Sequence, residues 1–274
     1  MKDSKYEKGL LNEEWVDIEK IYCMLDKEKE KVYEIIRIID GRPLFFEDHI
    51  DRLNNSLSII GLNYRVTYDQ MRKVIKTVLN EFGNKNINLK IALYNNGSMN
   101  MIVYLVNSFY PKPEKYVEGY HTLLIYEERE KPNAKILNNE QRRIINEILH
   151  EEGADECICV SEKGEILEGS RSNLFFVKGS TIITPPDNGV LLGTTRNKII
   201  ELCEKAKINI QKRTIRIEEL TFVDGLFVTG TSIDVMPVNS VGTLKYKSSS
   251  NRMVEKVMKL YQMEVNKYIA HSNF

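Results

Sequence analysis

At 274 residues and 42% apolar side chains, the chain can bury one large core or two modest ones, and two packed subdomains are expected. Its 39 basic and 39 acidic residues cancel, and no basic run with interleaved aromatics occurs; this argues against nucleic acid and anionic membranes as partners and leaves a small molecule. No stretch approaches the roughly 20 apolar residues of a membrane span, and the opening MKDSKYEKGLLNEEW is too charged for a secretory signal, which points to a cytoplasmic protein.

In chain order, KVYEIIRII from Lys31 to Ile39 predicts a buried strand, followed by a DGRP turn. The run LFFEDHIDRLNNSLSIIGL has helical spacing at Ile50, Leu53, Leu57 and Ile60. A second helix, YDQMRKVIKTVLNEFG, and two strand-like runs, NLKIALYNN and MNMIVYLVN, complete an α+β first half. NSFYPKPEKYVEGYH, from Asn107 to His121, mixes Pro, Gly and charge without periodicity, and the subdomain boundary falls there, dividing 1–118 from 119–274. The second half predicts a helix from Asn139 to Glu152, the strands ECICV, NLFFV and TIITPP, the helix RNKIIELCEKA and the strand LFVTGTS. It closes with an amphipathic helix from Met253 to Ile269 that carries Val254, Val257, Met258, Tyr261, Val265 and Tyr268 on one stripe.

The four cysteines (Cys23, Cys157, Cys159, Cys203) are too sparse for a disulfide framework, and the four histidines are scattered, so no metal site is readable. Two segments suit an anion. In LLGTTRNKII, Gly193, Thr194 and Thr195 precede a helix, where backbone N–H groups, hydroxyls and the helix dipole can hold a phosphate; taken alone, the segment is better explained by an ordinary threonine N-cap, because such caps are common. In LFVTGTS, Thr229, Gly230, Thr231 and Ser232 end a strand and form either a second nest of donors or a plain turn. Arg52 stands at the i, i+4 spacing from Asp48 and is placed to pair with it. Neither the dinucleotide GxGxxG nor the P-loop pattern occurs.

Four blocks taken together, KILN (135–138), EGSRSNLFFV (168–177), LLGTTR (191–196) and FVTGTSIDVMPV (227–238), resemble the class IV, or fold type IV, pyridoxal-phosphate aminotransferases, which include branched-chain and D-amino-acid aminotransferases and aminodeoxychorismate lyases. The first half fits as well, so the resemblance spans nearly the whole chain. It implies a small N-terminal α/β sandwich, a larger, β-barrel-like pyridoxal-phosphate-binding subdomain with helices, and a homodimer. It makes Lys135 the Schiff-base lysine, which attacks the aldehyde only when neutral and so requires a site that disfavours its charge. Glu168 is set against the pyridine nitrogen, where an anionic carboxylate keeps that nitrogen protonated. Arg52, Thr194, Thr195, Gly230 and Thr231 are set around the cofactor phosphate, with Ser170, Arg171 and Ser172 facing the cofactor; Arg171 either adds charge or braces the loop. Tyr33, Arg37 and Ser232 fall on the substrate side. The implied reaction is a ping-pong transfer of an amino group from an amino acid to a 2-keto acid.

The chain departs from the pattern where relatives carry a glycine-rich segment such as YGDGVFE: here MLDKEKEKVYE has no glycine, which alters the substrate wall. The Arg and His that hold the carboxylate in D-amino-acid enzymes have no match in MNMIVYLVNSFYPKP, and Glu140 stands where branched-chain enzymes often carry a tyrosine. Aminodeoxychorismate lyase activity, forming 4-aminobenzoate, is the alternative reaction, and a non-catalytic pyridoxal-phosphate binder is a third reading.

Overall fold

The computed structural model describes residues 3–28, 30–83 and 86–274. Two compact units emerge: the chain up to Phe109 with Ala134–Glu140 and Val265–Phe274, and a larger unit of Tyr110–Asn133 with Gln141–Glu264.

The first unit begins with a hairpin, β1 (Lys8–Leu11) and β2 (Glu14–Asp17), which leads into α1 (Ile18–Lys27). There follow β3 (Val32–Ile39), the two-residue β4 (Arg42–Pro43), the helices α2 (Phe46–Ile59) and α3 (Tyr68–Phe82), and the hairpin of β5 (Ile87–Asn95) and β6 (Met99–Val106). They build an antiparallel six-stranded sheet in the order β2-β1-β6-β5-β3-β4. Both faces are covered, which explains why β5 reads as a continuous apolar run rather than an alternating one. Leu89, Ile91 and Leu93 pack with Ile50, Leu53, Val74 and Val78 of α2 and α3, while Ala92 and Tyr94 pack with Ile18, Ile21 and Leu25 of α1. Ile50, Leu53 and Leu57 form the expected buried stripe, whereas Ile60 is the C-cap of α2. The glycine-free MLDKEKEK stretch runs from the last turns of α1 toward β3, with Lys29 outside the described residues.

The second unit opens with α4 (Pro113–Glu118) and β7 (Tyr120–Tyr126). The segment 107–121, aperiodic in sequence, thus holds a short helix, begun by Pro113 in its first turn and ended by Gly119 at φ 70°. Then come α5 (Asn139–Glu151), β8 (Glu156–Val160), β9 (Glu165–Gly169), β10 (Asn173–Lys178), β11 (Thr181–Thr184), α6 (Thr194–Lys205), β12 (Asn209–Lys212) and β13 (Ile215–Arg216). The unit's strands end with β14 (Gly225–Gly230), β15 (Asp234–Val241) and β16 (Leu244–Lys245), and α7 (Arg252–His271) closes the chain. The ten strands form one mixed sheet in the order β12-β11-β10-β14-β15-β7-β8-β9-β13, with β16 on β15, and it curls as a half barrel. The α+β class and the smaller-plus-larger design expected from the sequence are those of the structure. Of the stripe on α7, Val254, Val257, Tyr261 and Val265 are buried, and Met258 and Tyr268 are half-buried.

Candidate active site

In the first unit the chemistry starts on β3. Successive strand residues point to opposite faces, so Glu34 faces α2 while Tyr33 faces the α1 layer. Glu34 is fully buried and accepts from Arg52 Nε on one carboxylate oxygen and Arg52 Nη2 on the other, both at 2.7 Å. His49 Nδ1 lies 2.8 Å from the second oxygen. Burial by itself raises a carboxyl pKa, but the Arg52 charge and the hydrogen bonds from Arg52 and His49 hold Glu34 down to about 2. Burial drives His49 below its ordinary value against the pull of Glu34, while Arg52, despite burial, is held protonated by the same carboxylate. Asp48 adds charge near Arg52 as its spacing suggested, yet the bidentate partner is Glu34, 18 residues earlier in the chain. Arg37 lies half-buried on the same strand face as Tyr33, four residues on.

Lys135 belongs to this unit. Residues 135–137 run along the start of β3: Tyr33 N–H donates to the Lys135 carbonyl and Leu137 N–H to the Lys31 carbonyl, both at 2.9 Å. Lys135 N–H donates to Ser56 Oγ at 3.1 Å, and that hydroxyl donates to the Arg52 carbonyl at 2.9 Å, so buried Ser56 ties the lysine backbone to the helix bearing Arg52. Lys135 Nζ stands 4.7 Å from the centroid of the Tyr33 ring, within cation–π range. A residue the sequence reading passed over, Lys90 on β5, is buried with its Nζ 5.9 Å from the same ring and 2.8 Å from Asp3 Oδ2.

In the second unit Glu168 ends a strand rather than occupying a turn: EG are the last residues of β9, and the bend of the EGSRSN block is SRS. The Glu168 carboxylate is 3% exposed, so it has to be solvated by protein. Oε2 accepts from Leu191 N–H at 3.0 Å and Asn173 Nδ2 at 3.2 Å, and Arg129 Nε lies 2.9 Å from Oε1. Nothing about Arg129, in YEERE, marked it beforehand. The SRS bend is pinned by a second buried acid, Glu156, at the start of β8. Its Oε1 accepts from Ser170 Oγ at 2.5 Å, and its Oε2 accepts from Ser172 Oγ at 2.9 Å and Arg171 N–H at 3.3 Å. The Arg171 side chain is exposed and donates to Asn146 Oδ1 on α5, which is a bracing geometry. A Cβ on Gly169 would fall 2.0 Å from Ser172 Oγ, so this bend requires glycine.

Thr194 and Thr195 are the first two residues of α6 and both are buried. The helix is capped by Gly193, which has no side chain, so neither threonine is the N-cap. Gly230 ends β14, and Ile233 N–H donates to its carbonyl at 3.2 Å, closing a turn of Gly230, Thr231, Ser232 and Ile233. Tyr116 OH braces that turn by donating to the Ile233 carbonyl at 3.2 Å. The arrangement gathers an amine with an arginine in one unit, and a buried carboxylate with two hydroxyl-bearing backbone turns in the other. Among the described residues no group of His, Cys, Asp and Glu is placed to hold a metal ion.

Comparison with known proteins bears on this donor set. The family profile described as "Amino-transferase class IV" matches residues 31–241. The chain is 26% identical over 243 residues to a D-alanine aminotransferase of Bacillus licheniformis, covering 82% of this chain and 85% of that protein. It is 25% identical over 255 residues to an aminodeoxychorismate lyase of Bacillus subtilis, covering 87% and 86%. Among solved structures it is similar to a hypothetical aminotransferase from Mycobacterium tuberculosis in its PLP-bound form, with a TM-score of 0.75, 18% identity, and coverage of 87% of this chain and 89% of that one.

Proposed function

The chain belongs to the class IV aminotransferase family, and on that premise we propose that Lys135, Arg52, Glu168, Thr194, Thr195, Gly230 and Thr231 serve to hold pyridoxal 5′-phosphate. The residues present suit that group chemically. Arg52, held protonated by Glu34, and the buried threonines at the start of α6 suit a phosphate dianion. Glu168, buried among donors that favour its anionic form, suits a protonated pyridine nitrogen, and the Lys135 amine suits an aldehyde. Bound pyridoxal phosphate supplies the carbonyl that takes up the amino group and the ring that withdraws electrons from the substrate Cα.

The observation that carries the reading is the double anchoring of Lys135, through the Tyr33 N–H and Ser56 Oγ, beside the helix that bears Arg52. Both contacts are to its backbone, so the root of the side chain is fixed where its amine meets the Tyr33 ring. With the cofactor bound, the Lys135 amine would take the proton from the substrate Cα and hold it for return. Tyr33 forms the wall under that amine, and Arg37 and Ser232 lie on the substrate side. Glu168 would hold a proton on the ring nitrogen, Arg171 braces the bend beside it, and the residues set for the phosphate would fix orientation.

An amino donor should abolish the visible band of the holoenzyme and a 2-keto acid should restore it. A band unresponsive to a broad panel of both enantiomers would refute the proposal. The similarity to an aminodeoxychorismate lyase supports a second reaction on the same residues, elimination of pyruvate, which formation of 4-aminobenzoate from aminodeoxychorismate would establish. Among the described residues no helix is long and apolar enough to cross a membrane. We place the protein in the cytoplasm as a homodimer, and a monomer mass by light scattering would overturn the dimer.

A further inference from the structure

We propose that Asn173 is a positioning residue that sets the spacing between the ring-nitrogen carboxylate of Glu168 and the phosphate-binding start of α6. The inference rests on the roles given above to Glu168, Thr194 and Thr195. Pyridine nitrogen and phosphate are joined through a short, largely rigid path of ring atoms and one methylene, so their protein partners have to keep a fixed separation. In the second unit one side-chain amide spans the two sets of partners.

Asn173, at the first position of β10, is 5% exposed. Its amide nitrogen has two hydrogens and two acceptors: Nδ2 donates to Glu168 Oε2 at 3.2 Å and to the Leu191 carbonyl at 2.7 Å. Leu191 N–H donates to the same Glu168 oxygen at 3.0 Å, so carboxylate, amide and the segment leading into α6 form a closed triangle. The Asn173 carbonyl end is fixed by packing. A Cβ built on Gly193, the N-cap of α6, would fall 2.1 Å from Asn173 Oδ1, so the helix start rests directly on this amide. The cross-strand partner of Asn173 is Thr229, the residue before Gly230 and Thr231, which links the second phosphate turn to the same point. The Thr229 hydroxyl is buried there with no hydrogen-bond partner among the described residues.

Two substitutions separate this role from mere filling of space. Asn173→Asp nearly keeps the volume but has no donor and sets a carboxylate against Glu168 and the Leu191 carbonyl. Asn173→Ala leaves a small hole without new charge. Dissociation constants of apoprotein for pyridoxal 5′-phosphate, by equilibrium dialysis, together with the pH dependence of the bound cofactor's visible band, give the readout. With a hydrogen bond to a charged group lost, Asn173→Ala should weaken binding about tenfold, and Asn173→Asp, with like charges added, about a hundredfold. The Asp variant should also shift the pH dependence of the band, because Glu168 then gains a proton more readily. In a Glu168→Gln background the penalty of Asn173→Asp should shrink, since the repulsion is gone. A space-filling role predicts the reverse order, with Ala worse than Asp. An Asp variant that binds like the wild type, or better than the Ala variant, overturns the inference while leaving the functional reading intact. A wild-type protein that binds no pyridoxal phosphate overturns both.

Discussion

Glu34 and Glu168 are both buried carboxylates on strands, one in each unit, and they are solvated in opposite ways. Glu34 meets fixed side-chain partners on both oxygens, with the Arg52 guanidinium across it and His49 beside it. Glu168 meets neutral dipoles on one oxygen, a backbone N–H and an amide, and on the other an arginine whose side chain is 29% exposed and thus shared with water. A carboxylate neutralised by a buried cation spends its charge within the protein, whereas one held by dipoles keeps its charge for a ligand. On the function proposed above, Glu34 serves the fold and Glu168 the cofactor.

The sharpest way to break this contrast is to remove the structural acid. Glu34→Ala leaves Arg52 and His49 buried without their counter-charge, and breaking a buried pair in this way should cost about 3–5 kcal/mol in urea unfolding. A loss below about 1 kcal/mol would show that water replaces the carboxylate freely, and the contrast would fail.

Acid should expose the same pair. Glu34 falls from its ordinary 4.5 to about 2 in the folded protein, so its contribution is present above pH 4.5 and is lost as pH drops toward 2, in total about 3 kcal/mol. His49 adds loss in the same direction. Its folded pKa lies below 6.5, so the unfolded chain binds protons first as pH falls through 6.5. Unfolding free energy measured from pH 7 to pH 3 should therefore fall in two stages, and His49→Gln should remove the upper one.

Around Glu168 the effects are smaller and geometric. Gly193→Ala forces a Cβ against the Asn173 amide and should destabilise by about 1–3 kcal/mol, the range for overpacking, while lowering pyridoxal-phosphate affinity. Arg129→Ala removes a partly exposed partner of Glu168 and should cost no more than about 1 kcal/mol in unfolding. A larger loss would mean that Glu168, like Glu34, depends on its cation.

Periodicity made much of this visible beforehand. The stripe of α2, the buried strands β3, β5 and β6 and the long α7 are all legible, because a single face or a full burial sets their pattern. The β1–β2 hairpin is not, because GLLNEEWV lacks a clean alternation, and β9 was hidden under the motif it carries. The candidate groups Lys135, Arg52, Glu168, Thr194 and Thr195 stand out through local motifs. Their supports do not: Glu34 reaches Arg52 across 18 residues, Asn173 reaches Leu191 across 18, and Ser56 reaches Lys135 across 79. Those contacts depend on how strands and helices are laid beside one another, and a one-dimensional pattern carries no signal for that.

The proposed chemistry turns on a covalent attachment at one lysine. Borohydride reduction of the holoenzyme, followed by peptide mapping, should place a phosphopyridoxyl group on Lys135 and on no other of the chain's lysines, and pretreatment with an amino donor should suppress the label. A label on another lysine, or none at all in a protein that binds the cofactor, would contradict it.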